Sequence, residues 1–86
     1  MQNLQFHLGK RIRELRSQKG FSQESFADHC ALHRTYMGGI ERGEHNLTMN
    51  TVLTISKGLG TTMSALLEGL EKETGTAAKP PKPKKA

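Results

Sequence analysis

The chain has no tryptophan, one tyrosine, one cysteine and, before residue 80, no proline. Each scarcity excludes something. A lone cysteine forms no intrachain disulfide, so packing must supply the stability, which suits a reducing compartment. No apolar run approaches the roughly 20 residues of a membrane-spanning helix, and no signal-peptide pattern is visible, so neither a membrane partner nor export is expected. Hydrophobic residues make up only 34% of 86, enough for one compact core built from a few well-placed side chains.

Charge of one sign is scarcer than the formal +5 suggests. Four of the thirteen Lys/Arg residues are Lys79, Lys82, Lys84 and Lys85, which leaves nine against eight Asp/Glu in residues 1–74. The folded part is therefore nearly neutral, and its positive charge is local: Lys10, Arg11, Arg13, Arg16 and Lys19 crowd together with only Glu14 opposing them. All three prolines lie in the final "GTAAKPPKPKKA", which has no apolar periodicity. Residues 75–86 are expected to be a disordered basic tail that is either a solubilising end or a source of salt-sensitive attraction to DNA. The domain is residues 3–74.

Without proline or strand-like alternation, that domain reads as all-α, five short helices. Leu4, Leu8, Ile12 and Leu15 form one stripe, and Lys19-Gly20 a stop. Ser22 suits an N-cap, with Phe21 and Phe26 at the two positions of a hydrophobic staple; this second helix runs to about Cys30. A third spans His33 or Arg34 to Gly43. Thr48 caps a fourth with the stripe Val52, Ile55, Ser56 and Leu59, closed by Gly60. Thr62 caps a fifth carrying Met63, Leu66, Leu67 and Leu70.

The third helix, in "HRTYMGGIERG", contains adjacent glycines, each costing about 1 kcal/mol against alanine in a helix interior. At about 100° per residue, Tyr36, Met37 and Ile40 fall on the side a core claims. Arg34, Thr35, Gly38, Gly39 and Arg42 fall opposite. Two explanations compete: the glycines let the backbone approach something narrow, such as the DNA major groove, or they are merely tolerated on a solvated face.

"LGKRIRELRSQKGFSQESFADHCALHRTYMGGIERG" resembles the lambda-repressor/Cro-like helix-turn-helix family, often called XRE, and the likeness extends from about Leu8 to Leu70. The Arg-Ile-Arg-x-x-Arg run, Ser22-Gln23-Glu24, Ala27 and Ile40-Glu41-Arg42-Gly43 carry it. "HRTYMGGIERGEHNLT" is similar to controller proteins of restriction–modification systems. The resemblance implies a compact five-helix domain whose second and third helices form the motif. It places Arg34, Thr35, Gly38 and Gly39 against bases, with His33 at the helix entry. Arg34 can fork onto guanine and Thr35 can meet a base edge or a thymine methyl. Without side chains at 38 and 39, DNA shape carries part of the readout. Phosphate contacts are implied for Gln23, Arg42, Asn46 and His45. Arg16 and Glu41 are implied to pair beneath the motif. The chain departs from the family at Ala31, where glycine or asparagine is usual: either Ala31 adopts positive φ with strain, or the turn differs. Leu47, where many relatives have proline, matters less.

His29, Cys30 and His33 invite a metal site, but the first two are adjacent, the third lies past the turn, and no further ligand set completes them. No metal or cofactor is expected, and no enzyme: no nucleophile context exists, and a domain this small leaves little room for a substrate pocket. The implied function is sequence-specific binding of double-stranded DNA and transcription regulation by a homodimer on a palindromic operator, in the cytoplasm of a bacterial or phage system, close to the nucleoid. Its controlled genes would include those for restriction–modification and its own. Met63, Leu66, Leu67 and Leu70 are the expected dimer surface, divided between core and partner; RNA polymerase is a further candidate contact. The alternative is a protein-interaction module, an antitoxin or adaptor, against which the absence of a long apolar extension counts.

Overall fold

A computed structural model describes residues 3–74. The lysine- and proline-rich segment expected to be a disordered tail lies outside the described residues. The helices are α1 (Leu4–Gln18), α2 (Gln23–His29), α3 (Arg34–Glu41), α4 (Met49–Gly58), α5 (Met63–Leu67) and a single turn, α6 (Leu70–Glu73).

Side-chain caps start the first five. Asn3, Ser22, His33, Thr48 and Thr62 each accept a hydrogen bond from a backbone N–H of the first turn, where the helix has no partner of its own. α3 stops where Gly43 takes φ 79°, a left-handed conformation that an L side chain adopts only with strain. A Cβ there would also lie 2.7 Å from the Phe6 Cα, so α1 and the end of α3 meet backbone to backbone. The same closeness recurs at Gly9, where a Cβ would sit 2.7 Å from the Glu41 carbonyl oxygen and closer still to that of Ile40.

α1 packs across α3, α2, α5 and α6, while α4 packs on α5. Ile12, Phe26, Met37, Ile55 and Leu66 are fully buried between them. Each contributes on the order of 1.5–3 kcal/mol by leaving water. Within the α1 stripe, Leu8 and Ile12 are buried and Leu15 packs against the core, but Leu4, in the first turn, is 47% exposed.

The fifth helix is interrupted. Glu68 leaves helical dihedrals (φ −56°, ψ 126°) and Gly69 turns left-handed, so Leu70 restarts the chain in α6. Arg11 stabilises the break by donating to the Leu66 and Glu68 carbonyl oxygens, both at 3.1 Å. Of the run expected to divide between core and partner, the core members are Leu66 and Leu70. Leu66 and Leu70 are 0% and 2% exposed, buried in the domain's own core, because the bend folds Leu70 back toward α1. Met63 and Leu67 remain half-buried.

Candidate nucleic-acid interface

α2, the turn and α3 are built from short-range chemistry. Ser22 and Ser25 cap reciprocally: Ser22 Oγ accepts from the Ser25 N–H at 3.0 Å, and the Ser22 N–H donates to Ser25 Oγ at 2.9 Å. Phe21 and Phe26 meet with ring centroids 5.2 Å apart, closing the staple across the cap. After Cys30 the chain reverses at Ala31, whose φ is 57°, and the Leu32 N–H donates to the Ala27 carbonyl at 2.9 Å. Of the two outcomes open at this turn, the strained one is adopted: the left-handed conformation costs a Cβ-bearing residue roughly 1–2 kcal/mol. His33 then caps α3, its Nδ1 accepting from the Thr35 N–H at 3.1 Å.

The underside of α3 is held by charge. Arg16 donates from Nε to Glu41 Oε2 at 2.6 Å and from Nη2 to Oε1 at 2.9 Å, a bidentate pair with side chains 11% and 3% exposed. Its Nη1 donates to the Phe21 carbonyl at 2.9 Å. One guanidinium thus ties the end of α1, the entry to α2 and the end of α3. The hydrogen bond to Glu41 raises the Arg16 pKa; desolvation opposes this and the carboxylate's charge adds to it. Arg16 and Glu41 lie beneath the motif, their charged groups turned to each other and largely removed from water.

The outer side presents Arg34 and Thr35, both exposed. The next positions require a correction. Gly38 and Gly39 are buried, not open to solvent. The atoms covering them belong to side chains rather than to a neighbouring helix backbone. A Cβ at 38 would lie 3.1 Å from Arg42 Nη1 and 3.2 Å from Gln23 Oε1. A Cβ at 39 would lie 2.5 Å from His45 Nε2 and 3.5 Å from Glu44 Oε1. Long polar side chains fold over the bare backbone because nothing projects from it. The His45 ring is held there against Tyr36, centroids 4.9 Å apart.

The residues assigned to phosphate are also engaged. Gln23 Nε2 donates to Glu41 Oε1 at 3.1 Å, so its amide serves the buried pair, a role that short-range spacing does not reveal. Arg42 donates to Glu44 at 2.7 Å from Nε and 3.2 Å from Nη2. Asn46 Oδ1 accepts from Gln5 Nε2. Arg34 Nη1 is 3.3 Å from Glu24 Oε2. Glu24, Glu44 and Tyr36 are not among the contact residues expected from the sequence. Glu44, two residues after Arg42, was visible there as a neighbouring opposite charge; Glu24, ten residues from Arg34, was not.

Elsewhere, the basic run of α1 is not a single patch. Arg11 and Arg16 are consumed by internal hydrogen bonds, leaving Lys10, Arg13 and Lys19 exposed. Of the three residues weighed for metal, His29 stacks on Phe21 at 5.0 Å, Cys30 is buried with its thiol pKa pushed up by burial, and His33 is the cap. Among the described residues no helix is long and apolar enough to cross a membrane.

The sequence and the fold that carries this face both match known proteins. The model of the helix-turn-helix domain family matches residues 7–69. Control protein C.SmaI of Serratia marcescens is 40% identical over 70 residues, covering 79% of this chain and 83% of its own. The chain belongs to this helix-turn-helix family of control proteins. Its structure resembles that of the restriction–modification controller protein C.AhdI from Aeromonas hydrophila, with a TM-score of 0.68 and 39% identity over 71% of this chain and 92% of that one. It also resembles the C.Esp1396I controller protein, known as a tetramer in complex with its natural 35 base-pair operator, at a TM-score of 0.73 and 37% identity over 85% and 96% of the two chains. The family is one of transcription regulators, not an enzyme class.

Proposed function

We propose that the chain binds double-stranded DNA through the outer side of α3 and regulates transcription as a homodimer on an inverted-repeat operator, with restriction–modification genes and its own among its targets. The observation that carries this is the contrast across α3. Arg34 and Thr35 stand exposed at its N-terminal end, while the Arg16–Glu41 pair and the α1 contact hold its other side rigidly. A helix held this way can enter the major groove with its first residues at base edges. The operator complex of C.Esp1396I supports the same reading.

Arg34 supplies a bidentate fork and Thr35 a short contact beside it. Arg42, Asn46 and His45 line the exit toward the backbone. Gln23 can join them with its side chain only by releasing Glu41. Gly38 and Gly39 are approached after Arg42 and His45 swing aside, so groove shape adds to the readout.

A single helix reads too few base pairs for specificity, and two-fold related helices reach half-sites about 34 Å apart. Met63 and Leu67 supply the α5 part of the dimer surface, and exposed Met49 extends it. Leu4, Met49 and Leu67 line one apolar groove of about 280 Å³. A salt-titrated footprint on the DNA upstream of the gene tests the proposal. Protection of an inverted repeat is the expected result; no protection, with a protein captured stoichiometrically instead, would return the chain to the interaction-module alternative.

A further inference from the structure

Both arginines on the proposed DNA face are already held by carboxylates of the same chain. Arg34 is paired with Glu24 at 3.3 Å, the side chains 67% and 65% exposed. Arg42 is paired with Glu44 at 2.7 Å, the side chains 60% and 54% exposed. The third carboxylate nearby, Glu41, is neutralised by Arg16. The face therefore carries as many free-facing carboxylates as guanidiniums. That is unusual for a surface meant to meet phosphate, because sequence-independent DNA affinity comes from net positive charge that releases counterions.

We infer that Glu24 and Glu44 are specificity-determining residues of this face, competing with DNA for Arg34 and Arg42 and weakening binding to non-operator duplex more than to operator. The inference rests on the DNA-binding reading above. An exposed ion pair is held weakly, so a duplex that offers well-placed partners to both arginines displaces the carboxylates at little cost. A duplex without those partners gains only loose phosphate contacts and still meets two negative charges at the groove edge. Discrimination then comes from a repulsive element as well as an attractive one. The Arg42 guanidinium holds the Glu44 carboxyl below the usual carboxylate range, so Glu44 stays ionised and competes throughout the neutral pH range.

The test uses the full chain and two duplexes. One is enriched by the wild-type chain from a randomised library, and the other is a scramble of it with identical composition. Fluorescence anisotropy over a salt series gives both affinities for wild type, Glu24→Gln, Glu44→Gln and the double variant, with Glu71→Gln as a charge-matched control away from the face. Thermal melting by circular dichroism checks folding. The scrambled duplex is expected to tighten about fivefold per neutralised carboxylate at low salt, with the enriched duplex changing much less. The control should leave the ratio of affinities unchanged. Equal tightening of both duplexes, no change in either, or weaker binding of the enriched duplex would overturn the inference. Failure of the wild type to enrich or bind any duplex would overturn the DNA-binding reading itself, a different result.

Discussion

Glu41 and Arg42 are adjacent in sequence, yet their ion pairs differ sharply in burial and behave as different chemistry. Inside, Glu41 meets Arg16 in a bidentate pair, 3% and 11% exposed, with Gln23 supplying a further hydrogen bond. Outside, Arg42 meets Glu44 with more than half of each side chain in water. Removing either partner of the inner pair strands a charge away from solvent, whereas removing a partner of the outer pair returns the other to water. The same residue types therefore give rigidity in the buried pair and an exchangeable contact in the exposed one. The DNA-binding role proposed for α3 needs both, since a rigid pair sets the helix angle and an exchangeable pair is free to be taken over by a ligand.

The sharpest way to break this comparison is Glu41→Ala, expected to lower unfolding free energy by about 3–5 kcal/mol in urea titration. The partner experiment, Glu24→Ala at the exposed Arg34 pair, should shift it by no more than about 1 kcal/mol. Equal midpoint shifts in the two variants would erase the distinction. Next in size, Leu66→Ala should cost about 2–5 kcal/mol independently of protein concentration, as a core truncation does. Leu67→Ala should instead act mainly on the monomer–dimer equilibrium measured by sedimentation. If Leu66→Ala dissociated a dimer of unchanged protomer stability, the assignment of the two leucines would be reversed.

Smaller again, Arg34→Ala should leave the melting temperature almost unchanged while costing about 1–3 kcal/mol of operator affinity and relaxing preference at one base pair. Uniform weakening on every sequence would move Arg34 to phosphate. The smallest effect is a titration. Arg42 lowers the Glu44 pKa by hydrogen bonding and charge, so the pair is intact at neutral pH and is lost only as pH falls through that lowered value. Carboxyl NMR should show the Glu44 midpoint rising when Arg42 becomes alanine; an unmoved midpoint would mean the pair does not form in solution.

Much of the fold was legible in the sequence because its signals act within four residues. Ser22, Thr48 and Thr62 announce helix starts by the bond each makes to a backbone N–H three positions on. The α4 stripe of Val52, Ile55, Ser56 and Leu59 is buried as its spacing requires. The resemblance to the family supplied the Arg16–Glu41 pair, which joins residues 25 apart and has no local signature. What local spacing misplaced depends on neighbours distant in sequence. Leu4 lies on the correct stripe but at the open edge of an apolar groove, where it stays 47% exposed. The run from Met63 to Leu70 is continuous in apolar spacing but broken by Gly69, with Arg11 satisfying the freed carbonyls. Gly38 and Gly39 lie on the outward side by helical angle, but Gln23, Arg42, Glu44 and His45 converge over them.

The sequence by itself determined where helices begin, which residues line their apolar sides and that the turn at Ala31 must carry strain if it keeps the family's path. Those outcomes are set by backbone hydrogen bonds and sterics a few residues long. Only the tertiary structure decided which arginines are spent inside the domain and which remain at the surface. Arg11 and Arg16 are consumed while Arg34 and Arg42 are left exchangeable. The physical reason is desolvation: a guanidinium's fate depends on how much water the surrounding helices remove from it, and spacing along the chain does not encode that.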